Sequence, residues 1–455
     1  MDAHSHIPFL PGEQAPEAPH LRRVLGLVDV VGILVGTVIG SGIFIVPAQI
    51  AGRVESPVLM MAVWVVGGVL SFFGALALAE LAAAFPQAGG MYVFLREAYG
   101  RLVAFLFGWA LFLVIDAGSI ATLAVAFSSK YLPFFVTLTP LGQKAVALAL
   151  IAVLVAVNYA GARSGALVQN TLMLIKFGAI LGVVVFVFAL APGSTANFTH
   201  PPAPPISMDL VSRFGLALVA SLWAYKGWEA ATFSAGEVRS PERVLPLGML
   251  GGTAVVVVLY LLANLAYLYV FPVGAVATST RIAADAMSAA VGPIGAGIVA
   301  GVILCSIAGA ANGNLLTCPR VFYAMASDGL FFRRFAEVHP RFGTPHVSIV
   351  ATGAWSAVLA LSGTFEQLAT YVVFGQWLFF GLTVAGVMVL RRRRPDLPRP
   401  YRTWGYPVTP ILFVAAALFI CGNTLVGQFR SSVAGLGLIL LGVPAFLYWT
   451  RHEST

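Results

Sequence analysis

Four ionisable residues stand deep inside long apolar stretches of this chain: Asp116, Lys176, Lys226 and Glu229. A charge in hydrocarbon is costly, so such a group is retained where it meets a partner, a cavity or a transported species. Two apolar stretches, one of them holding Lys226 and Glu229, are also poorly suited to winding. "VGTVIGSGIF" (Val35–Phe44) puts Gly36, Gly40, Ser41 and Gly42 in the middle of an apolar segment running from Gly26 to Pro47. "SLWAYKGWEAATF" (Ser221–Phe233) does the same with Lys226, Gly227 and Glu229. A backbone that unwinds at membrane depth is tolerated only where it lines a cavity or is buried in protein. Amides freed around Gly40–Ile43, at the positive end of a half-helix, suit a carboxylate. Carbonyls freed near Val38, Trp223 and Lys226 suit an ammonium. Together they describe a receptor for a zwitterion. The competing reading makes the Gly-Ser-Gly triplet a small-residue face for helix–helix contact. A second interruption in a second segment favours the binding site.

Other chemistries find little support. All seven histidines (His4, His6, His20, His200, His339, His346 and His452) fall in tails, loops or segment ends. No His, Cys and carboxylate spacing suggests a metal, so no metal or other cofactor is expected. No G-x-x-x-x-G-K-[ST] stretch is present to cradle ATP phosphates. An intramembrane acyltransferase would need a catalytic His or a Ser/His/Asp set near the interface, and the apolar segments hold no His. A channel would be expected to repeat short pore units about an axis. A sensor of transporter ancestry stays open, separable only by measuring flux.

The elements that must position these residues are membrane helices. The 455-residue chain is 59% hydrophobic and 10% charged, with a mean hydropathy of +0.91. Apolar runs of about 20 residues recur along it, too continuously apolar for the alternating strands of a barrel. About twelve spans are expected at 26–48, 57–84, 101–129, 143–160, 165–190, 208–235, 247–271, 293–326, 346–362, 367–390, 408–427 and 432–450. The fold class is an all-α polytopic membrane protein.

The net charge of +8 follows topology rather than nucleic acid. With the N-terminus inside, about 18 of the 26 Lys/Arg fall on the cytoplasmic side, about six outside and two within spans. Both termini are therefore expected in the cytoplasm, in the plasma or inner membrane, with the lipid bilayer as the partner of the basic surface. The tail 1–20 has no apolar core or cleavage site and reads as a cytoplasmic tail, not a signal peptide. Cys305, Cys318 and Cys421 lie in or at the ends of spans, which gives no disulfide framework. Asn197-Phe198-Thr199 is a glycosylation triplet in an expected outer loop.

Residues 21–192 (spans one to five) and 208–390 (spans six to ten) form near-equal halves, joined by a Pro-rich outer link at 193–207 containing "HPPAPP". A basic loop at 391–407 and a final section, 408–455, complete the chain. Five is odd, so duplicated halves would enter the membrane inverted, each opening with an interrupted helix. That arrangement points to a secondary transporter.

The same residues carry a family resemblance. "IGSGIF", "AELAAAFPQAGGMYVFLREAYG" (Ala79–Gly100), "GEVRSPERVLP" (Gly236–Pro246) and "RPYRTWGYPVTP" (Arg399–Pro410) resemble the amino acid–polyamine–organocation (APC) superfamily, and the last resembles its L-type amino-acid exchangers. Ser240 stands where the family usually has Asn. The resemblance covers nearly all of the chain after residue 21. It implies ten core helices in two inverted five-helix repeats plus two peripheral helices, with substrate held between the unwound parts of spans one and six. By position, Ser41, Gly42 and Ile43 would take the α-carboxylate and the carbonyls of Val38, Trp223 and Lys226 the α-ammonium, with Trp223 closing over the substrate.

Lys176 lies about ten residues into span five, about 15 Å deep. The resemblance implies that its ammonium replaces a sodium ion and braces spans one and eight; a purely structural ion pair is the alternative. Glu229 matches a glutamate linked to protonation in arginine exchangers. L-type exchangers usually carry Arg at the place of Asp116 and a small residue at that of Lys226, so Asp116 is expected to compensate Lys226. Glu80 and Glu237 read as anchors of the fold near the cytoplasmic ends of spans.

The function expected is secondary transport of L-amino acids, most simply neutral ones, sodium-independent and run by exchange or linked to protons. Cationic amino acids or polyamines, and acidic amino acids, are the alternatives on the same fold. L-type mammalian exchangers bond to a heavy chain through a cysteine in the outer loop after span three. Residues 128–144 here contain none, so no disulfide-linked heavy chain is expected, and the assembly expected is a monomer or weak homodimer.

Overall fold

The computed structural model describes residues 21–362, 365–427 and 429–452; the tail 1–20 lies outside them. The chain is almost entirely helical. α1 (Leu27–Val38) and α2 (Gly42–Val54) form one bent unit, meeting at 42°. Only residues 39–41 leave the helix, a shorter break than the glycine pattern suggests. Gly36 stays wound within α1, and its missing side chain makes room for Gln169. A Cβ there would lie 2.3 Å from Nε2 of Gln169.

α3 (Pro57–Ala84) and the short α4 (Met91–Tyr99) follow. α5 (Arg101–Ala110) and α6 (Asp116–Ala126) run through a π-helical segment, Leu111–Ile115, so that Asp116 emerges directly from a widened turn. α7 (Pro140–Tyr159) and α8 (Ala162–Leu190) are separated by Gly161, whose φ of 141° an L side chain rarely adopts. Proline opens α3, α7 and α11, where its missing N–H costs nothing. Thr139 caps α7 through the amide of Gly142 (3.2 Å), and Ser207 caps α9 (Met208–Ala224) through that of Leu210 (3.1 Å).

After α9 the chain unwinds over residues 225–229 before the single turn of α10 (Ala230–Phe233). Then come α11 (Pro241–Val270), α12 (Val273–Thr278), α13 (Ile282–Val291), α14 (Pro293–Thr317) and α15 (Pro319–Ser327). α16 (His346–Ser362), α17 (Phe365–Arg393), α18 (Val408–Gly427), α19 (Phe429–Leu440) and α20 (Gly442–His452) complete the described chain.

Among the described residues, eight helical runs are long and apolar enough to cross a membrane, and the bent pair α1–α2 makes a ninth. The other three expected spans also coincide with helix: one is cut by the 225–229 break, one is the 17-residue α16, and one is α17. The protein is a multi-pass membrane protein.

α1 sits at the centre, packed against α8, α11 and α14, while α2 packs on α9 and α12. The side on which α1 begins is closed by main chain as well as side chains. Leu25 pairs with Val238 in a β-bridge, and the amides of Val24 and Leu25 both donate to the carbonyl of Glu237 at 2.9 Å. Glu237 in turn receives Nε (2.7 Å) and Nη2 (3.2 Å) of Arg320, both side chains at most 1% exposed. Nearby, Arg96 and Tyr92 both hold Asp328. Glu80 accepts from Arg391 and from the amide of Thr403 (2.7 Å), fastening the basic loop to the end of α3. The two glutamates read as anchors from the sequence are therefore the centres of two locks. Losing one partner of a buried pair strands the other charge, so Glu237→Gln should cost about 3–5 kcal/mol of stability. Melting of the purified variant in detergent reads this out; an unchanged midpoint would contradict it.

Candidate substrate site

The two helix breaks touch. A Cβ on Gly42 would lie 2.8 Å from Cα of Ala224, and one on Gly227, whose φ is 124°, would lie 2.9 Å from the amide nitrogen of Val38. Glycine is required at both positions, because each carries one broken segment into contact with the other. The hydroxyl of Tyr260 on α11 reaches the carbonyls of Val38 (3.1 Å) and Ala224 (3.3 Å), one from each break.

Between the breaks lies a cavity of about 60 Å³. Val38, Ser41, Gly42, Trp223 and Lys226, named above from the sequence, line it together with Thr37, Ser119, Thr122 and Asn314. The amides of Ser41, Gly42 and Ile43 have no acceptor among the described residues, as the first turn of a helix dictates. The hydroxyls of Thr37, Ser41 and Thr122 are buried without a hydrogen-bond partner. Buried polar atoms left unpaired beside a cavity mark a place for a ligand to supply the missing bonds.

Several expected roles change. Ile43 does not line the cavity, and Gly227 serves as a contact between the breaks. The carbonyl of Val38 already accepts from Gly40 N (2.8 Å) and Tyr260, and that of Trp223 accepts from Lys226 N (3.2 Å). Each break thus satisfies part of its own backbone, leaving fewer free carbonyls than a fully unwound stretch would offer. Lys226 does not form an ion pair with Asp116. Its ammonium donates to Ser119 Oγ at 2.8 Å, across the cavity wall. Asp116 and Glu229 instead line a neighbouring chamber of about 10 Å³, shared with Lys226 and Asn314. Both oxygens of Glu229 are engaged, by the amide of Gly227 (3.0 Å) and by Nε2 of Gln376 (2.9 Å), so this carboxylate holds the second break in shape.

Lys176 is fully buried. Its ammonium donates to the carbonyls of Gly36 (2.5 Å), Ile39 (2.6 Å) and Ser306 (3.2 Å), while Ser306 Oγ donates to those of Ile39 (2.9 Å) and Gly40 (3.1 Å). Span one and α14 are thereby joined through a cation set among carbonyl oxygens. Apart from the cavity, a line of amides joins α8, α14 and α7: Gln169 Oε1 accepts from Asn312, and Asn312 Oδ1 from Asn158. Sequence reasoning missed Tyr260, Ser119, Thr122 and Gln376. They sit in regularly wound helices, where one polar residue among apolar ones carries no distinguishing pattern. Among the described residues no group of His, Cys, Asp and Glu is placed to hold a metal ion.

Beyond the first turns of α2 is a larger cavity of about 570 Å³, lined by Gln49, Lys130, Tyr131 and Arg281 among others. It lies on the side opposite the sealed start of α1.

Comparison with known proteins agrees with this architecture. The family model described as "Amino acid permease" matches residues 25–443. The serine/threonine exchanger SteT of Bacillus subtilis is 30% identical over 439 residues, covering 96% of this chain and 98% of its own length. The human b(0,+)-type amino acid transporter 1 is 33% identical over 413 residues (90% and 83%), and the human cystine/glutamate transporter 31% over 459 residues (99% and 91%). The chain belongs to the amino acid permease family of the APC superfamily, and is a membrane transporter rather than an enzyme.

Proposed function

We propose that this permease carries small neutral L-amino acids by alternating access, independently of sodium, as an exchanger or linked to protons. One observation carries the reading: the cavity lies where two broken helices meet, under the unpaired amides of α2 and three unpaired hydroxyls. An α-carboxylate fits the amides, and a volume of about 60 Å³ beside hydroxyl groups favours a small, uncharged side chain. Relatives whose names cite serine/threonine and cystine/glutamate exchange support amino acids as the cargo and leave the side chain to this chain's own residues. In this reading the permease has twelve spans, ten of them in two inverted halves. Its termini are cytoplasmic in the plasma or inner membrane, and it works as a monomer or weak homodimer without a disulfide-linked heavy chain.

Counter-flow in proteoliposomes against all twenty amino acids and common polyamines tests the substrate class. Alanine, serine or threonine should exchange best. If glutamate or a polyamine exchanges best, the neutral assignment falls.

The ammonium of Lys176 already satisfies the carbonyls that a coupling cation would need. Replacing sodium with choline should therefore leave initial uptake rates unchanged. A loss of about tenfold or more, equivalent to about 1.4 kcal/mol of coupling, would mean that sodium is bound elsewhere and used.

A further inference from the structure

Beside the main cavity, Asp116 from the π-segment exit and Glu229 from the second break converge on the chamber of about 10 Å³, with Asn314, Cys318 and Gln376 completing its polar wall. That volume admits about one water molecule. Glu229 is satisfied by neutral donors, whereas Oδ2 of Asp116, in a side chain 1% exposed, has no partner. A buried carboxylate oxygen without a donor is a site for a cation. Among the described residues, no lysine or arginine nitrogen comes within 4 Å of Asp116. Lys226 is the cation that stands at the entrance. It lines both cavities, and its ammonium is tied to Ser119 at their boundary.

We propose that this chamber is a subsite for a cationic side chain, and that the chain blocks it with its own Lys226. The inference rests on the amino-acid-carrier reading above. A tethered ammonium competes with any incoming cation at high effective concentration, and meets an ornithine, lysine or arginine side chain with like charge. A neutral side chain stops in the main cavity and does not contest the chamber. Lys226 thus sets selectivity by exclusion. Shortening it to alanine vacates the path of a four-carbon stem and an ammonium, which is the shape of a substrate lysine side chain, and leaves two carboxylates at the end of that path.

The test uses the full-length protein in detergent, reading the shift in melting temperature produced by L-ornithine, L-lysine, L-alanine and L-glutamate, alongside counter-flow in proteoliposomes. In Lys226→Ala the apparent affinity for ornithine or lysine should rise about tenfold or more over wild type while that for alanine falls. Adding Asp116→Asn should remove the gain. Lys226→Met, which keeps the stem and drops the charge, should show a smaller gain. Folded variants with no gain for either cationic amino acid overturn the proposal. So does wild-type affinity that is highest for glutamate and lost in Lys226→Ala, since Lys226 would then be a ligand. Collapse of both single variants also counts against it, because the chamber must stand without the ammonium. If wild type moves no amino acid but Lys226→Ala gains ornithine binding, the carrier reading fails and the subsite survives.

Discussion

Gly42→Val abolishes counter-flow, lowering it by about 100-fold or more, while the protein still reaches the membrane. A Cβ at this position would sit 2.8 Å from both Cα and Cβ of Ala224, so backbone has to move, and the valine methyls add to the displacement. Overpacking of this kind costs about 1–3 kcal/mol, and here the strain falls on the contact that aligns the two breaks and on the amides at the start of α2. The comparison variant is Gly178→Ala, where a Cβ meets nothing within 4 Å and transport should be unchanged. Uptake normalised to the amount of membrane-inserted protein measures both. Substrate affinity at the wild-type level in purified Gly42→Val would remove the carboxylate site from α2.

Lys176→Met should be nearly as damaging, and also lowers stability. The ammonium is the shared donor to the carbonyls of Gly36 and Ser306 and one of two donors to that of Ile39. The carbonyl of Gly36 loses its donor, while Ile39 keeps Ser306 Oγ and Ser306 keeps its place in the α14 ladder, so a loss of about 1–3 kcal/mol is expected. Lys176→Arg should not rescue. Gly309 lies so close that a Cβ on it would be 2.8 Å from the ammonium, which leaves no space for the wider guanidinium. Melting in detergent and counter-flow rates give the two readouts; a methionine variant that transports at the wild-type rate would show the brace to be dispensable.

The positions of both breaks were legible in the sequence because glycine and charge in the middle of an apolar run conflict with an uninterrupted membrane helix. Their lengths were not. Gly36 reads as a weak point in isolation, yet it stays helical, and its glycine serves the close approach of Gln169, far away in sequence. Lys176 stands out by its depth, but its bracing role comes from the family resemblance, and nothing in the sequence shows that its partners are carbonyls rather than a carboxylate. The pairing of Lys226 was not legible. Charge compensation nominates Asp116, but the nearest acceptor turns out to be Ser119, one turn further along the same helix as Asp116, and a serine carries no sign of that in sequence. Tyr260 is the clearest omission. A tyrosine in a long apolar helix has many uses, and only the meeting of two unwound segments identifies this one.

The Tyr260 hydroxyl has one hydrogen and faces two carbonyls, Val38 on the first break and Ala224 on the second. It is therefore one donor shared between the two breaks, and in an alternating-access carrier it would act as a single pin through two hinges. If one hinge turned alone, the hydrogen would settle on the carbonyl that stayed, and the carbonyl that left would lose its share of the bond. In such a carrier independent motion of the breaks would be penalised and concerted motion would not. For a carrier this bears on leakage rather than on affinity: a protein whose two hinges turn together avoids the half-turned shapes through which solute could slip uncoupled. Loosening the pin should make such a machine wasteful before it makes it slow.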